Sequence, residues 1–325
     1  GLSTTNKDFL RSGNSRPLGG LLLEAPAPLK LSNRFSVDWA IAHYQLNDDR
    51  YVDEVRLHYK RLGLVTKLNP NNKITAQISH YAQWAGDSPD LGELPSDFKA
   101  FTNVFFAKGA SNIPTEADNA LGSHLGSYLL DYERETAVGT FSIYHEHPFE
   151  DGSGSGWANI PDGVWGIHFQ AKERHFLSGV LYEYVHTKNQ SYNSYSGADN
   201  YFNNGVYRSG WSYEKQIIGM PFFIYDPSLV LDMETQPIVS NRIQLHHLGL
   251  TGWLHKLEWT IKTSYVIHSG TYGGPFTTRR EIWYNYLSVV YSTPKYGKIK
   301  TMLGLDLKKR SASQWGTGLT YHYLF

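Results

Sequence analysis

Between Lys256 and His268 the side chains change character at almost every step: Leu257, Trp259, Ile261, Thr263, Tyr265 and Ile267 alternate with Lys256, Glu258, Thr260, Lys262, Ser264, Val266 and His268. An extended chain sends successive side chains to opposite faces, so this period of two builds a sheet with one apolar face and one polar face. The same period runs through Phe35 to Ala42, Glu54 to Lys60, Lys73 to His80 and Lys298 to Lys308. At the far end, Trp315, Thr317, Leu319, Tyr321, Tyr323 and Phe325 share one face. The pattern predicts about twelve strands, near residues 34–45, 53–64, 72–82, 121–132, 136–147, 163–171, 175–187, 241–251, 254–268, 281–292, 298–309 and 314–325. The chain reads as a single all-β domain over 1–325.

Two kinds of sheet share this alternation. A soluble β-sandwich turns its polar face to water and buries the apolar one, whereas a membrane barrel turns the apolar face to lipid and encloses the polar one. Connection lengths separate them. Short turns at Asn69 to Asn72, Glu133 to Glu135, Lys172 to Arg174, Thr251 to Trp253 and Thr293 to Gly297 alternate with longer segments at 83–120, 148–162, 188–240 and 269–280. Outer-membrane barrels have that layout, and the two longest loops are unusual for a compact soluble domain. Rings make up 14% of the chain, which suits interfacial girdles. No run approaches the roughly 18 apolar residues of a transmembrane helix, the densest stretch being Gly19 to Ala25. The expectation is therefore an antiparallel transmembrane β-barrel of a bacterial outer membrane, with short periplasmic turns, long extracellular loops and outer-membrane lipid around it. The aromatic ending on Phe325 resembles the C-terminal signature read by the barrel-insertion machinery. No export signal precedes Gly1, so the expected form is mature or truncated, with N-terminal strands open to being missing.

Thirty basic and thirty acidic residues cancel, which removes a bulk pull toward nucleic acid. The absence of cysteine excludes disulfides, thiolate metal sites and thiol catalysis. Gly86-Asp87-Ser88 is similar to a serine-hydrolase nucleophile block, but the Asp-x-x-His that such chemistry uses occurs nowhere. His145-Glu146-His147 places two imidazoles on one face of a strand, with Glu150 or Asp151 as a third candidate ligand, yet His-x-His predicts a metal poorly. The same holds for His246-His247. Asp151 to Gly156 is acidic and hydroxyl-bearing without the ordered carboxylates of a calcium loop, and reads as a tight connection. No cofactor or metal and no catalytic residue is expected. In 83–120, Pro95 at a first turn and Phe98, Phe101, Val104 and Phe105 at helical spacing predict a short helix, its apolar stripe suited to a plug or lid at the barrel mouth or to docking the loop on its neighbours.

Asp199 to Trp211 joins amides, rings and a guanidinium. Rings stack on sugar faces while Asn, Asp and Arg bond hydroxyls and carboxylates, so Trp157, Asp162, Asn200, Tyr201, Tyr207, Arg208 and Trp211 are the expected carbohydrate-binding residues. Several segments resemble the Wzi-type capsule assembly family of outer-membrane barrels, in the form found in Bacteroidetes: His80-Tyr81-Ala82-Gln83-Trp84 with Gly86 to Pro89, Leu121 to Tyr128, His147 to Gly154, Ile160 to Gly166, and Asp199 to Trp211 followed by Gly219-Met220-Pro221. The resemblance covers most of the chain from about residue 10. It implies a non-catalytic barrel of about eighteen strands that binds surface or capsular polysaccharide and assists its assembly or attachment. The alternatives are a porin or channel, motivated by inward Lys256, Glu258, Lys262 and Lys300, or a subunit working with outer-membrane protein partners.

Overall fold

The computed structural model describes residues 7–108, 120–150, 152–192, 198–232, 235–293, 295–309 and 312–323. All twelve predicted strands form, and two short ones precede them, in one 14-stranded sheet. The strands are β1 (Gly19–Glu24), β2 (Leu29–Lys30), β3 (Phe35–Leu46), β4 (Val55–Asn69), β5 (Asn72–Trp84), β6 (Ser123–Glu135) and β7 (Gly139–Phe149). They continue as β8 (Gly163–Ala171), β9 (Gly179–His186), β10 (Ile243–Leu254), β11 (Leu257–Gly270), β12 (Pro275–Thr293), β13 (Gly297–Lys308) and β14 (Gln314–His322). From β3 onward each strand pairs antiparallel with its successor in the chain, while β1 and β2 both line the free side of β3. Among the described residues no pairing joins β1 to β14.

Register assigns every side chain to a face. Trp39 opposes Leu62, which opposes Ile78; Ile78 opposes Tyr128, and Leu130 opposes His145. This face carries Leu62, Leu130, Ile143 and Ile167, each more than half exposed. On β11 the same face shows Leu257, Ile261 and Tyr265 while Ser264, Val266 and His268 are buried behind it. Keeping a large apolar side chain in water forgoes roughly 1.5–3 kcal/mol, so a continuous belt of them fits a hydrocarbon surround. A groove of about 740 Å³ lies in this belt between Leu62, Leu64, Ala76, Ile78, Leu130 and the rings of Trp157 and Trp165. Above it, toward the long loops, His43, His58, His80, His124, His145, His147 and His246 form an imidazole rim in the same register.

The other face is enclosed. Tyr59 and Tyr81 stack there with ring centroids 4.3 Å apart, and Tyr81 meets Trp211 edge-on at 5.3 Å. Residues 7–12 run across this interior. Lys7 pairs with Asp131 and bonds Ser142 Oγ at 3.3 Å; Phe9 N–H donates to Glu146 Oε2 at 2.9 Å; Arg11 reaches Tyr44 Oη at 3.2 Å. The long connection between β9 and β10 folds onto that segment, with the Phe9 ring 6.2, 5.5 and 6.0 Å from Tyr201, Phe202 and Phe223.

The loop predicted at 269–280 shrinks to a turn over 271–274, because Thr271 and Gly274 close it with bonds of 3.2 and 2.8 Å and β12 starts at Pro275. Lys256 does not face inward: Leu254 pairs with Leu257, which leaves His255 and Lys256 as a two-residue hairpin, with His255 at φ 56°. The turn after β8 extends to residue 178, where Ser178 Oγ bonds the backbone of His175 in both directions at 2.9 Å, so β9 begins at Gly179 rather than 175. Leu324 and Phe325 lie outside the described residues.

The predicted helix exists as α1 (Phe98–Phe105), but Asp97 caps it, accepting from Ala100 N at 2.7 Å, and Pro95 stands outside. It is not a plug. Phe101 rests on His43, His58 and Trp84, all on the outward face.

Candidate functional site

Six of the seven residues expected from sequence belong to the connection between β9 and β10 or to the loop it packs on, and each is engaged by protein partners. Asp162, wholly buried, accepts from the backbone of Asn189 and Gln190 at 3.0 and 2.7 Å and from Tyr201 Oη at 3.0 Å, with His186 Nδ1 at 2.7 Å. Asn159 donates to the same Tyr201 oxygen at 2.6 Å. Asn200 donates to Gln236 at 2.6 Å and accepts from Asn241 at 2.6 Å and Asn203 at 3.1 Å. Tyr207 Oη donates to the Ala85 carbonyl at 3.3 Å, and Arg208 pairs with Asp90 at 2.7 Å and bonds Tyr51 Oη at 2.6 Å. Trp211 Nε1 donates to the Leu10 carbonyl at 2.6 Å. Tyr201 and Trp211 are each 1% exposed, so neither ring offers a face to a sugar. Burial and the Asp162 carboxylate together raise the Tyr201 hydroxyl well above its ordinary range.

Trp157 stands apart. Its ring, 44% exposed, stacks on His147 at 4.3 Å and Tyr128 at 5.5 Å. Both partners point outward, which places Trp157 on the outward side of the rim. The remaining motifs are likewise structural. Ser88 is buried in a small ladder pairing 87–88 with 92–93. His145 stacks on Trp165 at 3.7 Å, and His147 Nε2 lies 3.1 Å from the Gly154 carbonyl, while Glu146 faces the opposite way toward Phe9. Glu150 accepts from Phe202 N at 2.8 Å; Asp151 lies outside the described residues, and Gly152–Ser155 forms a single helical turn. Among the described residues no group of three potential ligands is placed to hold a metal.

An open site lies elsewhere. Where β12 and β13 meet the loops, a cleft of about 1030 Å³ opens on the inward side, lined by Phe223, Tyr225, Arg280, Tyr284, Asp306, Lys308 and Gln314 among others. That volume is at the upper end of ordinary ligand pockets. Register gathers its groups: Ile282 opposes Lys308, Tyr284 opposes Asp306, and Asp306 opposes Gln314. Arg280 lies over the Phe276 ring at 4.1 Å, and Lys308 donates to Gln314 at 3.2 Å. Among the described residues neither cation makes an ion pair, whereas Lys309 on the outer face is paired with Glu281 at 2.9 Å. Phe222 backs Tyr284 at 5.6 Å. Arg279, on the cleft edge, adjoins a second patch in which Arg242 lies 3.8 Å over Tyr272 and Tyr272 stacks on Tyr192 at 5.0 Å. Burial, with Arg279 and Arg242 nearby, lowers the Lys188 ammonium below its ordinary range. Unpaired cations between rings and amides can bind a carboxylate by charge and a pyranose by stacking. Sequence reasoning missed this cleft because Arg279-Arg280 and Lys308-Lys309 are far apart in the chain and meet only through the register of β12 with β13.

A family model described as capsule assembly protein Wzi matches residues 4–231. Among solved structures, the chain is similar to Wzi from Escherichia coli, described as an outer membrane protein involved in group 1 capsule assembly and a carbohydrate-binding β-barrel. The two share 14% identity at a TM-score of 0.61, over 97% of this chain and 63% of the other. The antiparallel sheet is thus a β-barrel fold, and the chain spans less than two thirds of that relative. No curated protein matches the chain.

Proposed function

Because the chain belongs to the capsule assembly protein Wzi family, we propose that it is a non-catalytic barrel of the bacterial outer membrane that binds surface or capsular polysaccharide and assists its assembly or attachment. Three observations support this reading. The outward belt suits lipid, the interior is occupied by residues 7–12 and the packed connection, and a large cleft in which Arg280 and Lys308 make no direct ion pair among the described residues remains open at the loop end. The cleft carries the proposal. Its two cations beside Tyr225 and Tyr284 suit an acidic glycan better than a neutral one. Asp162, Asn200, Tyr201, Tyr207, Arg208 and Trp211 act in it as scaffold, holding the connection that supplies Phe223 and Tyr225, and Trp157 as an interfacial ring.

The test is binding of uronic-acid-bearing and neutral polysaccharides to the purified barrel in detergent. Retention of the acidic polymer, lost in Arg280→Ala/Lys308→Ala, is the expected result. A parent protein that retains neither polymer, or a double variant that retains the acidic one undiminished, refutes the assignment.

A further inference from the structure

Along β4 the outward residues change from Leu64 and Leu62 to Lys60, His58 and Arg56 as the strand approaches the loops, and on β5 Ile78 gives way to His80. Hydrocarbon does not solvate that charged and imidazole-bearing patch, and α1 covers it. The Phe101 ring lies 6.1 Å from His43, 5.4 Å from His58 and 5.7 Å from Trp84, and Phe105 lies 5.3 Å from His58. Arg56 donates to the Ser96 carbonyl at 3.1 Å, and the Lys60 ammonium bonds the Phe105 carbonyl. Ala100 and Val104 are buried beneath the helix.

The far side of α1 is unlike an ordinary water-facing helix surface. Phe98 is 80% and Phe106 65% exposed, and Lys99 and Lys108 are exposed beside them. Exposed rings flanked by lysines, on a helix lying against the outside of a barrel just above its apolar belt, match the amphipathic composition of elements that lie in a membrane interface. The belt row of Leu62, Leu64 and Ile78 continues directly below the covered patch.

We propose that α1 is an interfacial helix that seats on the outer leaflet, with Phe98 and Phe106 entering the boundary of head groups and acyl chains and Lys99 and Lys108 meeting anionic head groups. This rests on the membrane-spanning reading of the sheet, and the two are separable by experiment. The chain has no cysteine, so single spin labels are introduced cleanly through Phe98→Cys, Phe106→Cys, the belt control Leu64→Cys and the loop control Ser228→Cys. Each protein is reconstituted into phosphatidylcholine vesicles containing phosphatidylglycerol, and collision with oxygen is compared with collision with a water-soluble nickel complex. The expected result is loss of nickel collision at 98 and 106, at a depth shallower than at 64, with 228 freely accessible. Positions 98 and 106 as water-accessible as 228, while 64 stays lipid-protected, overturn the helix assignment alone. Dipolar broadening between labels at 98 on different molecules assigns the surface to a second copy and also overturns it. A water-accessible label at 64 overturns the membrane reading itself.

Discussion

In the segment from Asp199 to Trp211, rings, amides and a guanidinium bond to one another and to distant loops: Trp211 to the Leu10 carbonyl, Tyr207 to the Ala85 carbonyl, Arg208 to the Asp90 carboxylate. In the cleft where β12 and β13 meet the loops, residues of the same kinds line empty space, and Arg280 and Lys308 make no direct ion pair among the described residues, with Asp306 as the acid nearest Lys308. Composition does not separate the two regions; saturation does. Where most polar groups already have protein partners the side chains hold shape, whereas cations that make no direct ion pair beside open volume are the kind of group that can recognise a ligand.

The comparison breaks first at Asp162. Its replacement in Asp162→Ala strips an acceptor from the buried Gln190 N–H, the half-buried Asn189 N–H and Tyr201, a loss on the order of 3–5 kcal/mol. Proteolysis within 187–242 rises sharply as the connection opens; unchanged protection would show that the carboxylate does not clamp it. Next, each of Arg280→Ala and Lys308→Ala removes a charge-assisted contact worth about 1.5–3 kcal/mol, so affinity for an acidic glycan falls roughly ten- to a hundredfold per site while protection of 187–242 is unaltered. An equal loss for neutral glycans would mean that the cleft reads shape and not charge.

Tyr225→Ala costs about 1 kcal/mol of stacking, near fivefold in glycan affinity. Trp157→Ala leaves that affinity unchanged, and a loss equal to that of Tyr225→Ala would return Trp157 to the binding surface.

Most of the wall was legible in the sequence because an apolar outward face and an enclosed polar interior impose opposite demands on alternate residues. Strands β1 and β2 were not: Leu21, Leu22 and Leu23 run without alternation, and Pro26 and Pro28 interrupt the stretch between the two strands. The helix was legible from Phe98, Phe101, Val104 and Phe105, but not its side of the wall, because an apolar stripe packs equally on either face of a sheet. For the candidate binding region, composition could not tell which rings and amides are already engaged by the protein itself. Tyr201 and Tyr225 are both tyrosines of one connection, and only the bonds of Tyr201 to Asp162 and Asn159 mark it as occupied.

The contact of Leu10 with Trp211, 201 positions later in the chain, sets an order of assembly. The interior cannot be filled when residues 7–12 are made, since the surface that traps them is supplied by a connection that comes after β9. Such distant closures carry a large entropic cost before any contact rewards them, and they slow folding. The first described residues of the chain are therefore among the last to find their places, and maturation of this barrel ends at its centre.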